Sequence, residues 1–241
     1  MALMRLDKLL ADLGLGSRKE LRDIIRAGRV SVDGMPIRKP EQKVDPETQS
    51  LCLDGESLSY RRAHYYLLDK PLGVVTATED REQKTVLDLL PPELRRLGLF
   101  PVGRLDKDTS GLLLLTDDGD FAHRVISPKS CVEKRYYARV DGEVNAEDAE
   151  AFAAGLALRD GTVCLPARLE RLGPGECLVT VTEGKYHQVR RMLAARGKPV
   201  LELRRLSIGG LCLEENSQPG SLRELGEDDL CKMFRSYNGK N

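Results

Sequence analysis

The sequence predicts an α+β protein, a small helix–helix–hairpin domain followed by a larger domain on a mixed, mostly antiparallel sheet, and three observations carry that prediction. Strand-like runs at 65–68, 112–116, 134–141, 176–183 and 199–206 alternate with helical runs at 85–90, 119–126, 145–154 and 187–196. Strands such as Cys177–Thr182 alternate apolar and polar residues, and Asp160-Gly161 reads as a hairpin turn, which favours antiparallel pairing. The first 40 residues form a separate pattern of two short amphipathic helices and a tight turn.

In that first segment Leu6, Leu9, Leu10 and Leu13 recur at helical spacing until Gly14 and Gly16 stop the helix. Ser17 and Glu20 form a capping box for a second helix, which would bury Leu21, Ile24 and Ile25 and present Arg18, Arg22 and Arg26 as one row of cations. Arg29 to Ile37 reads as two strands around Asp33-Gly34, a strong hairpin signal. The polar stretch Ser57–Arg62 reads as a linker, so the expected domains are residues 1–60 and 61–241.

In the larger domain, Asn145 with Asp148 caps one helix start, Gly155 marks its stop, and Gly197 ends another. Leu112 through Leu115, bounded by Gly111 and Thr116-Asp117-Asp118-Gly119, predict a strand buried on both faces. The preceding loop, Gly103-Arg104-Leu105-Asp106-Lys107-Asp108-Thr109-Ser110, sets Asp106 between two cations at the edge of a core. Three readings of it compete: a turn of self-bonded Asp and Ser side chains, a calcium loop, and a catalytic carboxylate. The calcium loop needs a flanking helix on each side; Leu99-Phe100-Pro101-Val102-Gly103 is a poor helix, and position 12 is Asp117 rather than Glu.

Composition narrows the classes further. The chain has 241 residues, 41% of them hydrophobic, enough for one good-sized domain and a small one. Six cysteines without a C-x-x-C pair and three scattered histidines suggest neither a zinc site nor a disulfide framework, so no metal and a cytoplasmic location are expected. No apolar run approaches the roughly 20 residues of a membrane span. Net charge is zero but unevenly spread: residues 1–43 hold ten Lys/Arg against six Asp/Glu, and residues 185–205 hold seven against one. Such a surface can bind a polyanion.

Arg5-Leu6-Asp7-Lys8-Leu9-Leu10, Ser17-Arg18 and Gly28 through Gly34 resemble the S4 RNA-binding domain, which implies that the arginine-bearing helix and the hairpin lie on RNA phosphates. Further along, Gly103-Arg104-Leu105-Asp106-Lys107-Asp108-Thr109-Ser110-Gly111-Leu112, Lys134-Arg135-Tyr136, and Glu183-Gly184-Lys185-Tyr186-His187-Gln188-Val189-Arg190-Arg191-Met192 occur in that order. With the turn Leu68–Gly73, this set resembles the RsuA-type pseudouridine synthases over nearly the whole chain. The resemblance implies the synthase fold and isomerisation of a uridine in ribosomal RNA, with small-subunit (16S) RNA favoured over large-subunit (23S) RNA. The substrate would be that RNA or a subunit assembly intermediate. A non-catalytic rRNA-binding protein is the alternative of another class.

The resemblance implies Asp106 as the catalytic carboxylate, Tyr136 stacked on the uracil, and Arg190 paired with Asp106 to keep it ionised. It also implies Arg104 on the RNA beside the flipped nucleotide and Leu203 or Leu206 in the pocket wall. Lys70, Leu105, Lys185, His187 and Gln188, within the same motifs, are counted as substrate or RNA contacts, and His187 as a structural or RNA-contacting residue rather than a general base. Moving the uracil from N1 to C5 attachment is redox-neutral, so no cofactor is expected. A monomer is expected to carry it out.

Overall fold

The computed structural model of the chain describes residues 3–46, 48–58 and 63–235. It separates into two compact units, one of residues up to Ala63 with Pro91–Gly98, the other of His64–Leu90 with Leu99 onward.

The first unit contains β1 (Met4–Arg5), α1 (Leu6–Asp12), α2 (Arg18–Arg26), β2 (Val30–Val32), β3 (Met35–Ile37), β4 (Lys43–Val44), β5 (Leu51–Leu53), β6 (Glu56–Leu58) and the one-turn α3 (Pro92–Arg95). Leu6, Leu9, Leu10, Leu21 and Ile25 of the two longer helices are fully buried against Val30, Val32, Val44 and Leu51. The capping box forms, Ser17 N–H donating to Glu20 Oε2 at 2.9 Å and Glu20 N–H to Ser17 Oγ at 3.4 Å. Asp33 (φ 51°) and Gly34 (φ 79°) make the hairpin turn, since a two-residue turn matching strand twist needs positive φ at both positions.

A second hairpin, β5–β6 around Asp54 (φ 52°) and Gly55 (φ 86°), occupies part of the expected linker. Ser57 and Leu58 are strand residues there; residues 59–62 lie outside the described residues. Arg18, Arg22 and Arg26 are exposed, as expected, but two of them are engaged: Arg22 Nε donates to the fully buried Asp7 at 3.2 Å, and Arg26 pairs with Asp23 at 3.4 Å.

The second unit is one twisted sheet. Its elements are β7 (Tyr65–Lys70), β8 (Phe100–Pro101), β9 (Ser110–Thr116), α4 (Gly119–Ile126), β10 (Lys134–Val140), α5 (Ala146–Ala154), β11 (Arg168–Gly173), β12 (Glu176–Val181), α6 (Gln188–Ala195), β13 (Val200–Ile208), β14 (Leu211–Cys212), β15 (Leu222–Glu224) and α7 (Glu227–Met233). Strand order is β11-β12-β10-β13-β9-β7-β15, with β8 on β9 and β14 on β13. Every pairing is antiparallel except β13 with β9. Phe152, Val189, Met192 and Leu193 of α5 and α6 pack on Ala138, Cys177, Val179 and Leu203, while Phe121 and Val125 of α4 with Met233 of α7 pack on Leu67, Leu112 and Leu114.

Leu112–Leu115 are at most 1% exposed, which accounts for the unbroken leucine run. Asn145 and Asp148 form the expected capping box. Two expectations change. Residues 85–90 hold a single 3-10 turn, Leu87–Leu89, in place of a helix, and Asp160-Gly161 closes an isolated bridge, Ala157 to Val163, in place of a strand hairpin. The parallel β9–β13 junction sets the site. There Gly111 (φ 104°) faces Arg205 so closely that a Cβ would stand 2.2 Å from the Arg205 carbonyl oxygen, so a side chain at 111 would force the strands apart.

Candidate active site

A cavity of about 380 Å³ in the second unit is lined by the 102–109 loop, Lys134 and Tyr136 of β10, residues 183–189, and Leu203 and Arg205 of β13. Asp106 is on its wall, its side chain 29% exposed.

The loop that carries Asp106 is clamped through its backbone. Lys70, fully buried at the end of β7, donates from Nζ to the carbonyl oxygens of Pro71 (3.1 Å), Asp106 (3.1 Å) and Thr109 (2.9 Å). Thr76 Oγ1 donates to Leu105 O at 2.7 Å, and Lys107 O accepts from Gly73 N–H at 2.9 Å. Arg190 of α6 donates to Asp108 O at 2.8 Å and pairs with its carboxylate at 3.0 Å. An ordered loop reduces the conformational entropy lost in placing one carboxylate against a substrate.

Two expected roles are corrected by these contacts. Arg190 pairs with Asp108, two residues beyond Asp106, because its guanidinium reaches the outer edge of the loop from α6. His187 takes the expected place of Arg190: its Nε2 lies 3.3 Å from Asp106 Oδ1. Among the described residues no hydrogen bond engages the Asp106 carboxylate, and its partly exposed side chain lines the cavity. Lys70 cannot serve as an RNA contact, since its ammonium is enclosed and committed to three carbonyls. Burial lowers the Lys70 pKa from its ordinary value to about 8.

The Glu183–Gln188 segment folds on itself. Glu183, buried, accepts from Leu165 N–H (2.9 Å) and Gln188 Nε2 (2.8 Å) and pairs with Lys185 Nζ (2.9 Å), while Gln188 Oε1 accepts from Lys185 N–H (2.9 Å). Gln188 is therefore spent on the turn rather than free for RNA, and Lys185 is ion-paired, with a further bond to Val163 O. The turn delivers His187 in the left-handed region (φ 47°) at the N-terminus of α6, a conformation that costs a non-glycine residue about 1 kcal/mol or more. Its imidazole stacks on Tyr186, centroids 3.9 Å apart and planes 17° apart.

Tyr136, partly buried in β10, lines the same cavity. Arg205 places its Cζ 6.0 Å from the Tyr136 ring centroid and directs Nη1 to the Tyr136 hydroxyl at 3.4 Å, while its Nε donates to Leu112 O at 2.7 Å. Its Nη2 is buried without a hydrogen-bond partner. Lys134, also buried, donates to Val132 O at 2.9 Å, and desolvation followed by the charge of Arg205 lowers its pKa to about 8. Two buried cations thus line the cavity with the tyrosine, and neither was among the candidates from the sequence. The readable signal was alternation, which sets Lys134 on one face of β10 with Tyr136 and Arg205 on one face of β13 with Leu203.

The remaining expected residues divide. Arg104 is exposed at the cavity rim, and Leu105 and Leu203 line the wall. Leu206 alternates to the other face of β13 and is not among the lining residues. Among the described residues no cluster of three or more His, Cys, Asp or Glu could hold a metal ion, and no helix is long and apolar enough to cross a membrane.

A carboxylate on a clamped loop, lining one cavity with a tyrosine and two buried cations, defines an enzyme site suited to charge development on a planar ring. Comparison with known proteins gives the class its name. Residues 64–195 match the RNA pseudouridylate synthase family and residues 4–50 the S4 domain. An uncharacterised RNA pseudouridine synthase of Bacillus subtilis is 46% identical, covering 94% of this chain and 97% of that protein. The ribosomal small subunit pseudouridine synthases A of Pseudomonas aeruginosa and of Escherichia coli K12 are each 40% identical over 95% of this chain and their full length. The crystal structure of a pseudouridylate synthase, 34% identical, superimposes with a TM-score of 0.68 over 95% of this chain and 99% of that one. The chain belongs to the RNA pseudouridylate synthase family, in its S4-bearing RsuA-type branch, and is an isomerase acting on RNA.

Proposed function

We propose that this protein converts one uridine of small-subunit (16S) ribosomal RNA to pseudouridine in the cytoplasm, acting as a monomer on the RNA or on an assembly intermediate of the subunit. The observation that carries the reading is the partly exposed Asp106 carboxylate in the lining of one cavity with Tyr136, Lys134 and Arg205. The 40% identity to small subunit synthases along their whole length supports 16S RNA over 23S RNA.

In this reading residues 1–60 grip RNA and residues 61–241 do the chemistry. The target nucleotide leaves its stack, and its uracil enters the cavity against Tyr136. Asp106 acts at the sugar, by attack on C1′ or by removal of the C2′ proton; both routes start from the same carboxylate. The N1–C1′ bond breaks, the ring turns, and C5 bonds to C1′ as the Asp106–C1′ bond breaks or, on the second route, as Asp106 returns the proton to C2′; C5 then loses a proton and N1 gains one. Lys134 and Arg205 favour the negative charge that the uracil carries while detached. Arg205 Nη1 holds the Tyr136 hydroxyl in place for the C5 proton.

The reading is tested by mapping pseudouridines with carbodiimide and primer extension in 16S and 23S RNA from a deletion strain, with and without the gene restored. Loss of a single 16S stop that returns on complementation is the expected outcome. A lost 23S stop would move the substrate to the large subunit, and an unchanged pattern would favour a non-catalytic rRNA-binding protein.

A further inference from the structure

We infer that the outward face of Tyr186 is a stacking platform for an unpaired base flanking the extruded uridine, an RNA subsite outside the catalytic cavity; this rests on the function proposed above. Tyr186 is 73% exposed, the most exposed of the large hydrophobic side chains described, yet it lines the rim of the cavity that holds Asp106. An aromatic ring left in water at a site's mouth points to a ligand with a flat apolar face.

The ring is fixed in place. Its inner face is covered by His187 at 3.9 Å, its carbonyl accepts from Arg191 Nη1 at 3.2 Å, and the turn is locked by Gln188 bonding back to Lys185 N–H. Little further entropy is lost when a third ring stacks on the pair. The surroundings select the partner. The exposed Arg104 shares the rim with Tyr186, so a phosphodiester strand is favoured over an apolar or basic peptide surface. Once a uridine has turned into the cavity, the bases on either side lose a stacking neighbour and lie at the mouth, where Tyr186 stands. Stacking reads no base edge, so the platform accepts any nucleobase and stabilises the strand rather than a sequence.

The experiment compares wild type with Tyr186→Ala, Tyr186→Phe and Tyr186→Trp in tritium release from 16S transcripts carrying 5-tritiated uridine. Base–aromatic stacking of about 1–3 kcal/mol corresponds to a KM raised roughly 5- to 150-fold in Y186A, with kcat within about twofold and both aromatic variants near wild type. Because the chain has no tryptophan, Y186W also carries a single reporter. The 16S transcript should shield that tryptophan from acrylamide quenching and leave Phe234→Trp, exposed elsewhere, unshielded. A fall in kcat at unchanged KM would make Tyr186 a positioning residue for His187 and overturn the platform, as would unchanged kinetics or an unshielded tryptophan. Wild type inactive on rRNA would instead fault the proposed function, with the tryptophan shielding still deciding the platform.

Discussion

His187 Nε2 stands 3.3 Å from Asp106 Oδ1, while Arg190 reaches past that carboxylate to the backbone and side chain of Asp108. The two basic residues of one motif thus do different work. His187 sets the carboxylate, and Arg190 sets the loop that carries it. His187→Gln should leave the melting temperature near wild type and lower kcat about tenfold to a hundredfold. Arg190→Met, which removes the hydrogen bonds to Asp108 O and to Val200 O, should cost about 0.5–1.5 kcal/mol of stability as well as activity. Thermal melts with single-turnover tritium release separate them; equal stability losses in both would undo the assignment.

Gly111 lets β9 approach β13 where a Cβ would meet Arg205 O at 2.2 Å. Gly111→Ala should therefore destabilise the second unit by about 3–5 kcal/mol and displace Arg205 from Tyr136. Urea unfolding followed by circular dichroism measures the first effect. A midpoint within error of wild type would show that the junction has slack.

Lys70 and Lys134 carry a stability signature. Burial lowers both to about 8, below the value near 10.4 of an unfolded lysine. Between those values the unfolded chain holds protons the native lysines have released, so their contribution to the unfolding free energy should rise with pH above about 8 and stay level below it; burial raises the Cys164, Cys177 and Cys212 thiols, which oppose that rise, so the lysine part is read as the difference between wild type and Lys134→Met. Lys134→Met should remove part of that rise. Urea midpoints at pH 7 and pH 9.5 test this before the tyrosines titrate, Tyr137 being raised to about 12 in the folded state. Lys70→Met should lower kcat without changing the salt dependence of RNA binding, because Lys70 touches carbonyls rather than phosphates.

Where a sequence signal was local, it was legible. The capping boxes at Ser17 and Asn145, the Asp33-Gly34 turn and the Leu112–Leu115 strand each depend on residues within a few positions of one another. The β5–β6 hairpin was missed although Asp54-Gly55 repeats the turn signal of Asp33-Gly34, because the polar stretch Ser57–Arg62 that follows reads as a linker. The site was legible as motifs and illegible as pairings. Arg190 meets Asp108 across 82 positions, and Lys70 meets the Asp106 loop across 36 and 39, so the β9–β13 junction and its register, rather than any spacing, select the partner. Lys70 beside a proline turn resembles a surface lysine until the fold encloses it.

In the first unit Asp7 is fully buried between Arg5, which binds both its oxygens at 3.0 Å, and Arg22. The Arg5 hydrogen bonds, foremost, hold its carboxyl below the usual range. That stabilisation is present above the unfolded pKa near 3.9 and is lost as pH falls through the lower folded value. Asp7→Asn should cost about 1–3 kcal/mol at pH 7 and flatten the acid side of the stability profile. Because Arg22 is tied to the buried Asp7, whereas Arg18 is exposed and the Arg26–Asp23 pair is exposed on both sides, RNA contact is expected from Arg18 and Arg26. Arg18→Gln with Arg26→Gln should reduce the slope of log affinity against log salt by roughly 1–2, with unfolding unaffected; an unchanged slope would remove α2 from the RNA-binding face.

The central claim is that the Asp106 carboxylate begins the isomerisation. Tritium release from 5-tritiated uridine in 16S transcripts, with binding of the same RNA measured in parallel, tests it in Asp106→Asn. The expected result is RNA affinity within about twofold of wild type and no detectable release; release at a measurable fraction of the wild-type rate would contradict the account.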